Sequence, residues 1–165
     1  MTKRVLIPLD GTEHAEVALQ ALPGLSDPGD EVVLLSISEP RRAVQTGMRP
    51  GRTIRGGSAN RARPDFPVYA ETDDQVIQGQ LNEFQTYLQT KAAQLKELGF
   101  SEVELAVEVS EDPAGAIVDV ARRVKPTFIL MVRTTSPGIG ERVFGTVAQR
   151  VIREDVAPVM IVPGK

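Results

Sequence analysis

Five short runs rich in Val, Ile and Leu, RVLIPLD (4–10), EVVLLSIS (31–38), VELAVEV (103–109), TFILMV (127–132) and VMIV (159–162), alternate with longer amphipathic stretches. No other feature limits the possible folds as much. A run that is apolar at consecutive positions, without polar alternation, suits a strand covered on both faces. Strands alternating with helices are the rhythm of βαβ units around a parallel sheet.

The intervening segments carry helix signals. A helix is expected from about Glu13 to Leu22, closed by Pro23-Gly24, with Ala15, Ala18, Leu19 and Leu22 on one face. The longest helix is expected over 76–99, where Ile77, Leu81, Phe84, Leu88, Ala92 and Leu95 form one stripe and Gly99 is the stop. Asp112 is placed to cap a third helix with Pro113 at its first position, where a missing N–H costs nothing. Thr146 and Gln149 read as a T-x-x-Q capping box on a fourth helix, with Val147, Val151 and Ile152 facing inward. The order β-α-β-(loop)-α-β-α-β-α-β, with right-handed crossovers, gives a doubly wound α/β sheet. Ligands of such sheets bind beyond the strand C-termini, where strand order reverses. That places PLDGT (8–12), ISEP (37–40) and VRTTSPGIG (132–140) along one edge.

Length and composition narrow the chemistry. A chain of 165 residues is expected to be one domain, 1–165, interrupted by a long loop at 40–75. There is no cysteine, which removes disulfide scaffolds, thiol catalysis and thiolate metal sites. The opening MTKRVLIPLD is too short an apolar run for a signal peptide, and nothing approaches a membrane span, so a cytoplasmic protein is expected. Net charge is −3, yet seven arginines and no acid lie between Arg41 and Arg63, a local cation on an acidic body. This segment reads either as a solvated face or as an electropositive lid or partner arm beside the ligand edge. The single Arg55-Gly56-Gly57 is too little to suggest RNA binding, and no nucleic-acid partner is expected.

Several chemistries lack their residues. The only histidine, His14, has no second histidine or cysteine to build a metal site or a triad with. Adjacent acid pairs such as Asp73-Asp74 diverge in direction, so no catalytic residue and no metal ligand is assigned, and any hydrolysis would be slow. Gly138, Gly140 and Gly145 do not make a dinucleotide fingerprint, and no P-loop is present.

The segments P-x-D-G-[ST] at 8–12, I-x-E-P at 37–40, the D-P-A start at 112–114, G-T-V-A-x-x-V at 145–151 and A-P-V-x-I-V-P at 157–163 together resemble the universal stress protein family. The likeness covers nearly all the chain outside 41–75. It implies a three-layer, Rossmann-like α/β fold with a five-stranded parallel sheet of order 3-2-1-4-5. It also implies a homodimer through the last strand and, in some members, bound ATP with Mg. The family's nucleotide motif, G-x2-G-x9-G-[ST], ends here at Gly145-Thr146 but has Val132 and Thr135 where the first two glycines belong.

By this resemblance Pro8, Leu9, Asp10, Ile37, Met131, Val132, Thr135, Gly138, Gly145, Thr146 and Val147 form the candidate binding set. Asp10 would accept from base or ribose and Ile37 would pack on adenine; alternatively, Asp10 caps the first helix with Glu13. Thr146 either caps the last helix or faces a phosphate, since both use one geometry. A valine at 132 restricts the backbone and its methyls are expected to fill ligand space, whereas the hydroxyl of Thr135 and the cations of Arg133 and Arg142 could still meet a phosphate. The other readings are a non-nucleotide regulatory or scaffold protein of the same fold, and an adenylate-forming or nucleotidyl-transfer enzyme, which lacks its motifs here.

Overall fold

The computed structural model describes residues 1–40, 73–133 and 145–164. Five strands, β1 (Arg4–Pro8), β2 (Glu31–Ser38), β3 (Val103–Val109), β4 (Phe128–Arg133) and β5 (Val159–Pro163), form one sheet of order β3-β2-β1-β4-β5. Every pairing is parallel. Four helices connect them: α1 (Glu13–Ala21), α2 (Asp73–Glu97), α3 (Pro113–Val124) and α4 (Thr146–Arg153). The expected α/β fold and strand order are the ones observed. β1 stops at Pro8 rather than at residue 10, and Leu22 begins a separate 3-10 turn (Leu22–Gly24) after α1.

Side-chain alternation sorts the core into two layers. Val5, Ile7, Val32, Leu34, Phe128 and Leu130 pack with Ala18 and Leu19 of α1 and with Leu88, Ala92 and Leu95 of α2. Leu6, Val33, Leu35 and Ile129 pack on the opposite face with Ile117, Val120 and Ala121 of α3 and Val151 of α4. Each central strand thus feeds both layers, which is why these runs are apolar at consecutive positions.

The helix ends are fixed by local chemistry. Asp112 caps α3 by accepting from the Gly115 amide at 3.1 Å, and Pro113 opens the helix. Past α2, Gly99 takes φ +96 and the Phe100 amide returns to the Leu95 carbonyl, so this glycine ends the helix as expected.

α1 and α2 are fastened where their polar faces meet. Lys91 Nζ lies 2.7 Å from Glu16 Oε2, and the Tyr87 hydroxyl donates to Glu16 Oε1 at 3.1 Å. Burial and the Glu16 carboxylate push the Tyr87 hydroxyl's pKa well above its ordinary value. One expected feature of α4 is corrected. Ile152 is 43% exposed rather than inward, and Ala148 takes the buried place beside Val151. An α-helix turns about 100° per residue, so Ile152 lies about 100° round from the buried Val151 and faces away from the core.

Candidate functional site

Strand order reverses between β1 and β4, so the crevice beyond their C-terminal ends is the place where this topology leaves room for a ligand. Val5 pairs with Phe128 and Leu6 with Ile129. Extending that register sets Pro8 level with Met131 and Asp10 level with Arg133. Pro8 also pairs with Leu35 of β2, which brings Ile37 level with Asp10. Residues far apart in sequence therefore meet along one edge.

The turn after β1 is built by its own polar atoms. Gly11 adopts φ +83, a conformation that a side chain would strain. Asp10 Oδ1 accepts from the Thr12 amide at 2.9 Å and from its hydroxyl at 2.6 Å, and Thr12 Oγ1 in turn accepts from the Ala15 amide at 3.2 Å. Thr12, not Asp10, is the N-cap of α1. The D-x-x-E reading of Asp10 with Glu13 is thereby corrected: the carboxylate braces the cap from two residues upstream. Asp10 is exposed, and its Oδ2 enters no hydrogen bond among the described residues.

Leu9 is only 2% exposed and belongs to the core under α1 and α2. Its side chain faces the core, so any part it takes in a site falls to its backbone, whose carbonyl accepts from the buried Ser36 hydroxyl at 2.8 Å. Val132 follows the same alternation. It continues β4 without positive φ and packs against the α1-side core. The methyls expected to fill ligand space lie within that layer instead.

Ile37, Met131 and Val147 share the other face. All three are half-buried and pack against the core beneath α3 and α4. The structure thus gathers, on one side of the sheet's C-terminal edge, an apolar surface from β2, β4 and α4. Pro8, the last residue of β1, is half-buried at the same edge.

α4 begins here as well, but not with the expected cap. Gly145 is the N-cap, with no side-chain hydrogen bond, and its carbonyl accepts from the Gln149 amide at 3.0 Å. Thr146 is the first helical residue, exposed, with a hydroxyl that has no partner among the described residues. The T-x-x-Q box is therefore corrected by one position. Among the described residues no side chain accepts from the N–H groups of the first turn, which leaves them for water or an anion. Thr135, Gly138 and Arg142, together with the arginine-rich segment 41–63, lie outside the described residues.

Two further contacts were not foreseen. His14 Nε2 donates to the Arg133 carbonyl at 2.9 Å, tying α1 to the end of β4. The chain after β5 passes so close that a Cβ at Gly164 would lie 2.1 Å from the His14 ring. Ser38, at the end of β2, is buried and donates to Gln80 of α2 at 3.1 Å. Neither contact has a local sequence signal, since each joins elements distant in the chain. Among the described residues no group of three His, Cys, Asp or Glu could hold a metal ion, and no helix is long and apolar enough to cross a membrane.

The sequence pattern that defines the universal stress protein family matches residues 1–163. No curated protein matches the chain. Among solved structures, the hypothetical protein MJ0577 is 21% identical with a TM-score of 0.69, covering 100% of this chain and 98% of that one. A universal stress protein in complex with cAMP is 16% identical with a TM-score of 0.60, covering 97% and 95%. A family protein from Arabidopsis thaliana with AMP bound is 14% identical with a TM-score of 0.53, covering 99% and 92%. At these identities the likeness is one of fold.

Proposed function

Because the chain belongs to the universal stress protein family, we propose that it binds an adenine nucleotide, ATP in the first place, across the C-terminal ends of β1 and β4. It acts in this reading as a homodimeric regulatory protein of the stress response, not as a catalyst. The observation that carries the proposal is the gathering of Ile37, Met131 and Val147 on one half-buried apolar face beside the start of α4, whose glycine cap supplies no side-chain acceptor. A flat aromatic base suits the first element, and phosphate suits the second. Bound AMP and cAMP in two structures of this fold support the same chemistry. Asp10, with one carboxylate oxygen open, is placed to accept from a ribose or to meet a Mg ion carried by ATP.

Dimerisation is proposed through β5, an edge strand on which Met160 is 38% exposed. A monomer in sedimentation at micromolar concentration would contradict this part.

A regulatory or scaffold role without nucleotide is the second reading, and the inward packing of Leu9 and Val132 favours it, because neither side chain offers the ligand a contact. The two readings separate by experiment. Mass spectrometry of the purified, denatured protein should release adenine nucleotide, or millimolar Mg-ATP should raise the unfolding midpoint; a ligand at 100 times its Kd stabilises by about 2.7 kcal/mol. Absence of both results removes the nucleotide reading.

A further inference from the structure

Arg133 closes β4 at the edge where the proposed ligand lies. Ile129 and Met131 belong to the layer under α3 and α4, so alternation sends the Arg133 side chain to that face, the face of Ile37 and Val147. The residue is half-buried and its Nε is fully buried with no hydrogen-bond partner among the described residues. Among the described residues no carboxylate pairs with its guanidinium, not even that of Asp10, which the β1–β4 register, extended past its last pair, sets level with it. Its carbonyl accepts from His14 and its backbone pairs with Pro163 of β5, so the side chain is the part left without a partner among the described residues.

A buried N–H donor without an acceptor, on a cation without a counter-ion, is a costly arrangement, and folded proteins seldom retain one without a use for it. Asp30, Glu16, Glu108 and Asp112 each have their partners in place. Arg133 stands apart from them, and it stands at the site.

We infer that Arg133 is the residue through which this site grips an oxyanion, namely a phosphate of the bound nucleotide. The inference rests on the nucleotide reading above and adds the residue that would make the site selective for phosphorylated ligands over nucleosides. A neutral acceptor on a base or ribose would satisfy Nε but leave the positive charge unbalanced; a phosphate does both, and the planar fork of the guanidinium matches its oxygens. The positive end of α4 adds to the same preference on the same face. The interaction involves no bond making or breaking.

The test compares the full chain with Arg133→Met, which keeps the apolar stem and removes the donors. Calorimetric titration with adenosine, AMP and Mg-ATP, and thermal shift with pyrophosphate, are measured on both. Adenosine should bind the two proteins within about twofold, while AMP and ATP should weaken by about 10- to 100-fold in the variant. Without ligand, the variant's unfolding midpoint should stay level or rise, because an unpaired buried donor has been removed; a merely structural arginine would lower it. An unchanged AMP affinity, or equal losses for AMP and adenosine, overturns the inference while leaving nucleotide binding intact. Pyrophosphate stabilising the wild type and not the variant, with no adenine compound bound, upholds the inference and removes the nucleotide reading. If the wild type binds neither AMP nor pyrophosphate, both fall.

Discussion

Replacing Asp30 with asparagine should destabilise the chain by about 2 kcal/mol at neutral pH, and the loss should fade in acid. The carboxylate lies at the N-terminal end of β2, with its side chain 6% accessible. Oδ2 accepts from the Ser26 hydroxyl at 2.6 Å and from the Asp27 amide at 2.9 Å, and Oδ1 accepts from the Lys3 amide at 2.8 Å. These bonds, Ser26 first, hold the Asp30 pKa down from 3.8 to about 2. At about 1.4 kcal/mol per pH unit, that difference corresponds to about 2 kcal/mol. Geometry gives a similar figure: an asparagine can turn its oxygen to only one side, so its NH2 meets either the Lys3 N–H or the Ser26 and Asp27 donors, leaving at least one buried donor unpaired at about 1–3 kcal/mol. The sign follows from the depressed pKa. The stabilisation is complete above the unfolded value of 3.8 and is lost as pH falls through about 2. Urea unfolding of wild type and Asp30→Asn at pH 7, 4 and 2.5 would show the gap between them narrowing across that window. A gap that stays constant from pH 7 to 2.5, or a loss below about 0.5 kcal/mol at pH 7, would refute the reasoning. Asp30 sits at the edge of the sheet opposite the proposed site, so any stabilisation by Mg-ATP should be the same in both proteins.

Thr146→Ala should leave unliganded stability within about 0.5 kcal/mol by thermal unfolding, since Gly145 is the cap; a loss near 1 kcal/mol would restore Thr146 to that role. Val132→Gly should cost about 2 kcal/mol through the lost packing under α1 and the freer backbone, and should not by itself tighten ATP binding, measured by urea unfolding and calorimetry. Lys91→Met should cost about 2 kcal/mol, because the Glu16 carboxylate, 24% accessible, keeps only Tyr87, and the double variant with Glu16→Leu should recover part of that loss.

The sheet was legible because a strand buried on both faces writes itself as consecutive apolar residues. β2 and β3 begin and end where their Val- and Leu-rich runs do. The Asp112-Pro113 start of α3 was equally clear, since only one cap-competent residue directly precedes that proline. The other two caps were misread for a common reason. Asp10-Gly11-Thr12 and Gly145-Thr146 each hold adjacent residues able to cap, and the choice between them depends on where the preceding chain ends, not on local preference. The edge of the site could be placed from topology. Which side chains face it could not, because each strand sends alternate residues to opposite layers and a strand buried on both faces hides that alternation in uniform hydrophobicity. Leu9 and Val132 stand at the edge by position, while their side chains pack toward the core under α1.

This alternation also changes what the missing glycine means. At 132 a side chain points toward α1, so a valine fills the layer that Leu130 and Ile7 already occupy. At 131 and 133 side chains point toward α3 and α4, and there β4 offers a half-buried methionine followed by an arginine whose Nε has no partner. The backbone at 132 does lose glycine's freedom, yet the strand runs on to Arg133 in regular pairing with Pro163, so the valine reinforces β4 at its very end. A site that cannot wrap a ligand in flexible backbone at that position must hold it by side chains. In the proposed site Arg133, immediately after the valine and on the face of Met131, is where β4 can supply one.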